Sequence, residues 1–77
     1  MSDEVVYAEW EDGRGNLNRI VSQTYKGRPV IHLRRYWQPG GDGTDWVPTR
    51  VGVTIRNEAE FREVRTALDA AGRVLEW

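Results

Sequence analysis

Two short stretches hold the residues with the most chemical content. Tyr25-Lys26-Gly27-Arg28 puts an aromatic ring and two cations around one tight turn. Arg34-Arg35-Tyr36-Trp37 puts two more of each at the end of the next apolar run, and Arg50 lies beyond a further turn. Cations neutralise a phosphate backbone, and exposed rings stack on splayed bases at roughly 1–3 kcal/mol per base. Single-stranded nucleic acid is held by that combination. The plainer alternative makes Tyr36 and Trp37 core residues and the arginines solubilising. Strand alternation adds a condition. Arg34 and Trp37 are three apart, so a regular strand points them to opposite faces unless a bulge, strong twist or strand end intervenes.

Other chemistry is thin. The chain has no cysteine and one histidine, which excludes disulfides, thiol nucleophiles and a zinc site built on imidazoles. A nucleophilic triad would need Ser2 or Ser22 with His32, and nothing in their spacing recommends it. Carboxylate pairs occur only in the acidic leader and on the helix, where solvated faces explain them. Gly40 to Gly43 lack the Lys-Ser/Thr ending of a phosphate-binding loop. His32 alternates with Val30 and Arg34 and reads as structural. The expectation is a protein that is not an enzyme and has no metal or cofactor.

The charge is unevenly spread. Residues 1–13 carry five acids and no base, and residues 14–50 carry seven bases against Asp42 and Asp45, within a net charge of −1. A basic block interleaved with aromatics suggests a polyanion surface. The acidic leader reads as a solvated tail or a self-shielding strand. No apolar run is long enough to span a bilayer, and no basic start leads into an apolar stretch, so the expected location is cytoplasmic.

The elements that must position these residues follow from period and punctuation. Val5 to Trp10, Leu17 to Tyr25, Val30 to Trp37 and Trp46 to Ile55 read as strands. Asp12 to Asn16, Lys26-Gly27 and Gln38 to Thr44 read as the turns between them. Asn57 caps a helix, with Glu60 three residues on completing a capping box. Phe61, Val64, Leu68 and Ala71 form its apolar stripe, and Gly72 serves as its C-cap. Arg73 to Trp77 form a short apolar tail. The fold class is α+β, a four-stranded curved antiparallel sheet followed by one C-terminal helix (β-β-β-β-α). One domain spans residues 1–77: acidic strand and turn 1–16, core sheet 17–55, helix 57–72. With 77 residues and neither disulfide nor metal, a single core supplies only about 3–5 kcal/mol, which predicts a homodimer.

At these residues the chain resembles the positive-cofactor-four family of transcriptional coactivators, which bind single-stranded DNA. That family has an aromatic-Lys-Gly-Lys hairpin, a strand ending Ile-Arg-Glu-Tyr-Trp, then Lys-Pro-Gly-Arg-Lys-Gly and a capped helix. Here Tyr25 to Arg28, Val30 to Trp37, Val47-Pro48-Thr49-Arg50-Val51-Gly52 and the helix from Asn57 correspond, over roughly residues 19–71. The resemblance implies a dimer that binds unpaired DNA with little sequence preference. By position, Tyr25 and Trp37 would stack on bases. Lys26, Arg28 and Arg34 would contact backbone or base edges, with Arg50 a further backbone contact. Val47 and Val51 stand where the family has lysines, and Arg35 where it has an acid. Loss of two cations weakens phosphate attraction and flattens the salt dependence. Arg19, Arg35 and Trp46 are the residues available to compensate.

The expected function is therefore sequence-independent binding of single-stranded DNA, or RNA, by a homodimer acting in transcription, replication or repair. The alternative is a protein-interaction module of the transcription machinery that has weakened or lost nucleic-acid binding.

Overall fold

The computed structural model describes residues 3–40 and 45–77. Strands β1 (Val5–Glu11), β2 (Asn16–Tyr25), β3 (Arg28–Trp37) and β4 (Val47–Ile55) form one antiparallel sheet in the order β1-β2-β3-β4, followed by helix α1 (Glu58–Leu75). The expected β-β-β-β-α order holds, with β4 starting one residue later than expected. Part of the Gln38 to Thr44 turn lies outside the described residues. Among the described residues no helix is long and apolar enough to cross a membrane.

The central hairpin fixes which side chains share a face. Tyr25 pairs with Arg28 across Lys26 (φ 52°) and Gly27 (φ 77°). Two consecutive positive φ values make this a type I′ turn, whose twist matches the flanking strands. Gly27 takes that conformation freely, whereas Lys26 is a rarer occupant. From Tyr25↔Arg28 to Asn16↔Trp37 the β2/β3 register runs without a break. Odd residues of β2 and even residues of β3 therefore lie together on one face, here called the Val21 face. Ile20, Ile31 and Leu33 belong to the opposite, Ile20 face.

The buried residues Leu17, Val21, Val30, His32 and Tyr36 all lie on the Val21 face. Yet α1 is on the other side. Phe61, Val64 and Leu68 look across an apolar cleft of about 430 Å³ at Ile20, Ile31, Leu33 and Ile55.

Two bulges shape the sheet. In β1 the register shifts between Val6 and Ala8, and the Tyr7 hydroxyl meets that of Ser22 at 2.8 Å. In β4, residues 49–51 stand opposite Arg35 alone, because Arg34 pairs with Gly52 and Tyr36 with Pro48. The Thr49 hydroxyl donates to the Arg35 carbonyl (2.8 Å) and accepts from the Val51 N–H (3.1 Å), which repairs the interrupted ladder. Gly52 (φ 153°) lets β4 close again: a Cβ there would lie 2.3 Å from the Leu33 carbonyl oxygen.

The acidic leader is part of the sheet. Asp3 accepts from the Thr24 N–H at 3.0 Å and from the Thr24 hydroxyl, and Glu9 pairs with Arg19 at 2.9 Å.

The helix departs from expectation at both ends. The Asn57 side chain accepts from the Glu60 N–H at 2.9 Å, as a cap should. Glu60 reaches one residue further back than a capping box requires, to the Arg56 N–H at 2.9 Å. Gly72 is not the C-cap. The helix continues to Leu75, and Glu76 takes the left-handed position (φ 57°), with the Trp77 N–H donating to the Gly72 carbonyl at 2.9 Å. Nothing between Gly72 and Leu75 breaks the helix, since an interior glycine costs only about 1 kcal/mol. The expected apolar stripe forms, but no residue of α1 is buried.

Candidate nucleic-acid interface

A groove of about 700 Å³ opens on the Val21 face, lined by Tyr25, Lys26, Arg28, Val30, His32, Arg34, Thr54, Arg56 and Asn57. The register explains the set. Tyr25 and Arg28 close the hairpin turn as a cross-strand pair, and Val30, His32 and Arg34 follow at every second position of β3. Thr54 pairs with His32 from β4, and Arg56 follows just beyond that strand. Four cations line the groove, and among the described residues no carboxylate does. Converging positive charge on low-dielectric walls draws polyanions.

Tyr25 is 58% exposed, and the Lys26 ammonium sits 5.4 Å from its ring centroid. The ring thus combines a neighbouring cation with exposed surface.

His32 forms part of the groove wall and is only 7% exposed. Its Nδ1 lies 2.9 Å from the Thr54 hydroxyl and 3.5 Å from Arg34 Nη2. Its Nε2 is buried and has no hydrogen-bond partner among the described residues. Burial first, and the Arg34 charge second, hold its pKa below the ordinary imidazole value, while Glu4 acts in the opposite direction.

Of the six residues singled out from the sequence, the fold gathers Tyr25, Lys26, Arg28 and Arg34 in this groove. It leaves Trp37 and Arg50 outside. Trp37 is 46% exposed and pairs with Asn16 and Val47 at the far end of β3, on the Ile20 face. Arg50 is exposed on the β4 bulge. Arg19 is committed elsewhere: its guanidinium lies 4.6 Å from the centroid of the Tyr36 ring and is held by Glu9. Tyr36 is core, as the plainer alternative had it, whereas Trp37 is not.

His32, Thr54, Arg56 and Asn57 were not picked out as site residues. For His32 the signal was its alternation with Arg34. For Arg56 there was none, because the β4 bulge shifts the register and no sequence pattern announces its size. Ser22 pairs with Ile31, on the face opposite His32, so these two side chains do not meet. Comparison with protein-family models, curated proteins and solved structures returned no match. The functional argument therefore rests on the groove and on the residues themselves.

Proposed function

We propose that the protein binds single-stranded nucleic acid, DNA foremost, as a homodimer and without sequence specificity. The observation that carries this proposal is one groove that brings together Tyr25, Lys26, Arg28, Arg34 and Arg56, with no carboxylate among its described lining residues. The cations would track the phosphates, and Tyr25 would stack on a base. Such a module acts where duplexes open, in transcription, replication or repair. The resemblance to the positive-cofactor-four family points the same way.

Surface arithmetic supports the dimer. The protomer exposes 6472 Å², about 1,700 Å² more than the ~4,800 Å² expected of a compact protein of this mass. Its radius of gyration is 14.3 Å against about 11.5 Å for a compact chain of this length. A standard interface takes about 800 Å² from each partner. The excess is enough for one, and it is apolar: Phe61, Val64 and Leu68 on α1, with Leu33, Val53 and Trp37 on the sheet, are all exposed. A second copy laid on the helix and the Ile20 face would complete the core that the protomer lacks.

That same apolar face favours the second reading, a protein-interaction module. The deciding experiment is fluorescence anisotropy of a labelled oligothymidine of about twenty nucleotides, longer than the ~4–16 that one single-strand fold covers. The titration is run at two salt concentrations and competed with duplex. Tight, salt-sensitive binding that duplex does not displace is expected. Absence of binding at low salt overturns the nucleic-acid reading in favour of a protein partner.

A further inference from the structure

We propose that His32 is a ligand-contacting residue of the groove, and that a single-stranded polyanion binds there with uptake of a proton by its imidazole. The inference rests on the nucleic-acid reading of the groove and adds a specific residue and a linked proton to it.

The contacts at Nδ1 are those of a neutral ring that accepts there in the free protein. A guanidinium only donates, so the contact from Arg34 Nη2 requires an unprotonated Nδ1. The Thr54 hydroxyl at 2.9 Å can donate to the same nitrogen. The neutral ring then carries its proton on Nε2, a buried donor without an acceptor among the described residues. A buried unsatisfied donor costs about 1–3 kcal/mol, so a stable fold keeps one where a ligand or water meets it. His32 lies in the wall of a groove whose other charged lining groups are all cations.

An arriving phosphate acts on the ring through charge, against the burial that is the larger influence. It brings negative charge into the groove, which favours the imidazolium. It also competes for the Arg34 guanidinium, whose contact with Nδ1 is already long at 3.5 Å. Once Arg34 turns to the phosphate, Nδ1 can take a proton and donate it to the Thr54 hydroxyl oxygen, which accepts as readily as it donates. No bond other than N–H is made, and the proton comes from solvent.

The remaining surroundings fit this exchange. The cross-strand neighbours of His32 are Val21 on β2 and Thr54 on β4, neither of them charged. Burial and the Arg34 charge disfavour the imidazolium in the free groove, and Glu4, preceding β1, is the acid that acts on it. Binding of an anion therefore has the Arg34 charge to neutralise, and linkage requires that what raises proton affinity on binding also raises ligand affinity as pH falls.

The chain has one histidine, so a single imidazole proton signal reports the test. That signal is titrated against pH in the free protein and with saturating oligothymidine. Anisotropy is measured in parallel at constant ionic strength from pH 8 to pH 5.5, for wild type and His32→Gln. In the wild type the imidazole pKa rises in the complex, and affinity tightens by up to about tenfold per pH unit between the free and bound values. His32→Gln loses the tightening with falling pH, whatever its affinity at pH 8. If oligothymidine binds but the imidazole titration does not move, His32 is only a core residue and the proposal falls while the groove survives. If wild type does not bind at pH 8 and low salt, the groove reading fails and this proposal with it. Should His32→Gln fail to fold, the titration of the wild-type signal decides alone.

Discussion

Arg34 and Trp37 stand on opposite faces of β3. The β2/β3 ladder runs unbroken past both, so no bulge in this hairpin rotates one toward the other. The two residues that sequence reasoning would join in one site are therefore divided. Arg34 lines the groove with Tyr25, and Trp37 lies on the opposite face with Leu33 and Val53.

The division sets a prediction for short ligands. An oligothymidine of about five nucleotides fills one groove without reaching the other face. Tyr25→Ala removes the exposed aromatic ring of the groove and should weaken this ligand by a factor of roughly 5 to 150, the equivalent of about 1–3 kcal/mol per stacked base. Trp37→Ala should leave its affinity within about twofold. An equal loss from both variants would show that the strand crosses from one face to the other.

Salt dependence separates the cations. Arg28 and Arg34 line the groove, whereas Arg50 does not. Each phosphate contact removed should lower the slope of log affinity against log salt by about 0.7 for a single strand. Arg28→Ala and Arg34→Ala should each show that drop, and Arg50→Ala none. A drop confined to Arg50→Ala would move the binding path to the β4 bulge.

Gly52 carries a structural prediction. A methyl group there meets the Leu33 carbonyl oxygen at 2.3 Å and the Arg34 Cα at 2.9 Å, in a backbone conformation that side chains rarely adopt. Both contacts are with backbone, so neither can swing aside. Gly52→Ala should destabilise by at least about 2 kcal/mol, through strain at a special backbone position. Urea denaturation at fixed protein concentration measures it. An unchanged midpoint would mean that the two strands part there at little cost.

Much of the fold was legible because period and punctuation agreed. The Lys26-Gly27 turn, the alternation from Val30 to Trp37 and the Asn57 cap each specify local geometry through one dominant interaction. What failed was whatever depended on distance along the sequence. Gly72 looks like a stop because a glycine often follows a helix, but the helix ends where Glu76 turns left-handed. Arg19 looks available until β1 lays Glu9 against it. The apolar stripe of α1 reads as core, yet no residue of the helix is buried, because the helix does not close onto the sheet. The site was readable where one hairpin builds it, at Tyr25, Lys26, Arg28 and Arg34. Arg56 joins it only through the β4 register.

The exposed stripe of α1 predicts a concentration-dependent fold. Leu68 is 66% exposed in the protomer and faces the cleft beside Phe61 and Val64. Leu68→Asp buries a charge if a second copy covers this face and costs almost nothing if it does not. Sedimentation equilibrium should show a dimer for the wild type and a monomer for the variant. The variant's thermal midpoint should be lower, and that of the wild type should rise with protein concentration. A wild-type monomer across the concentration range would remove the dimer from the proposal.

Acid should loosen the β1 edge before the rest. The Thr24 hydroxyl and N–H hold the Asp3 carboxyl below its ordinary value of 3.8, and the Arg14 N–H, at 2.7 Å, does so for Asp12. A carboxylate depressed in the folded state contributes stability that is fully present above its unfolded pKa. That contribution is lost as pH falls through the folded one. At pH 7, Asp3→Asn and Asp12→Asn should each melt below wild type. The gap should close progressively below about pH 4, as the wild-type carboxyls take up protons and lose the advantage the variants never had. A gap that stays constant down to pH 2 would mean that these hydrogen bonds matter for geometry and not for charge.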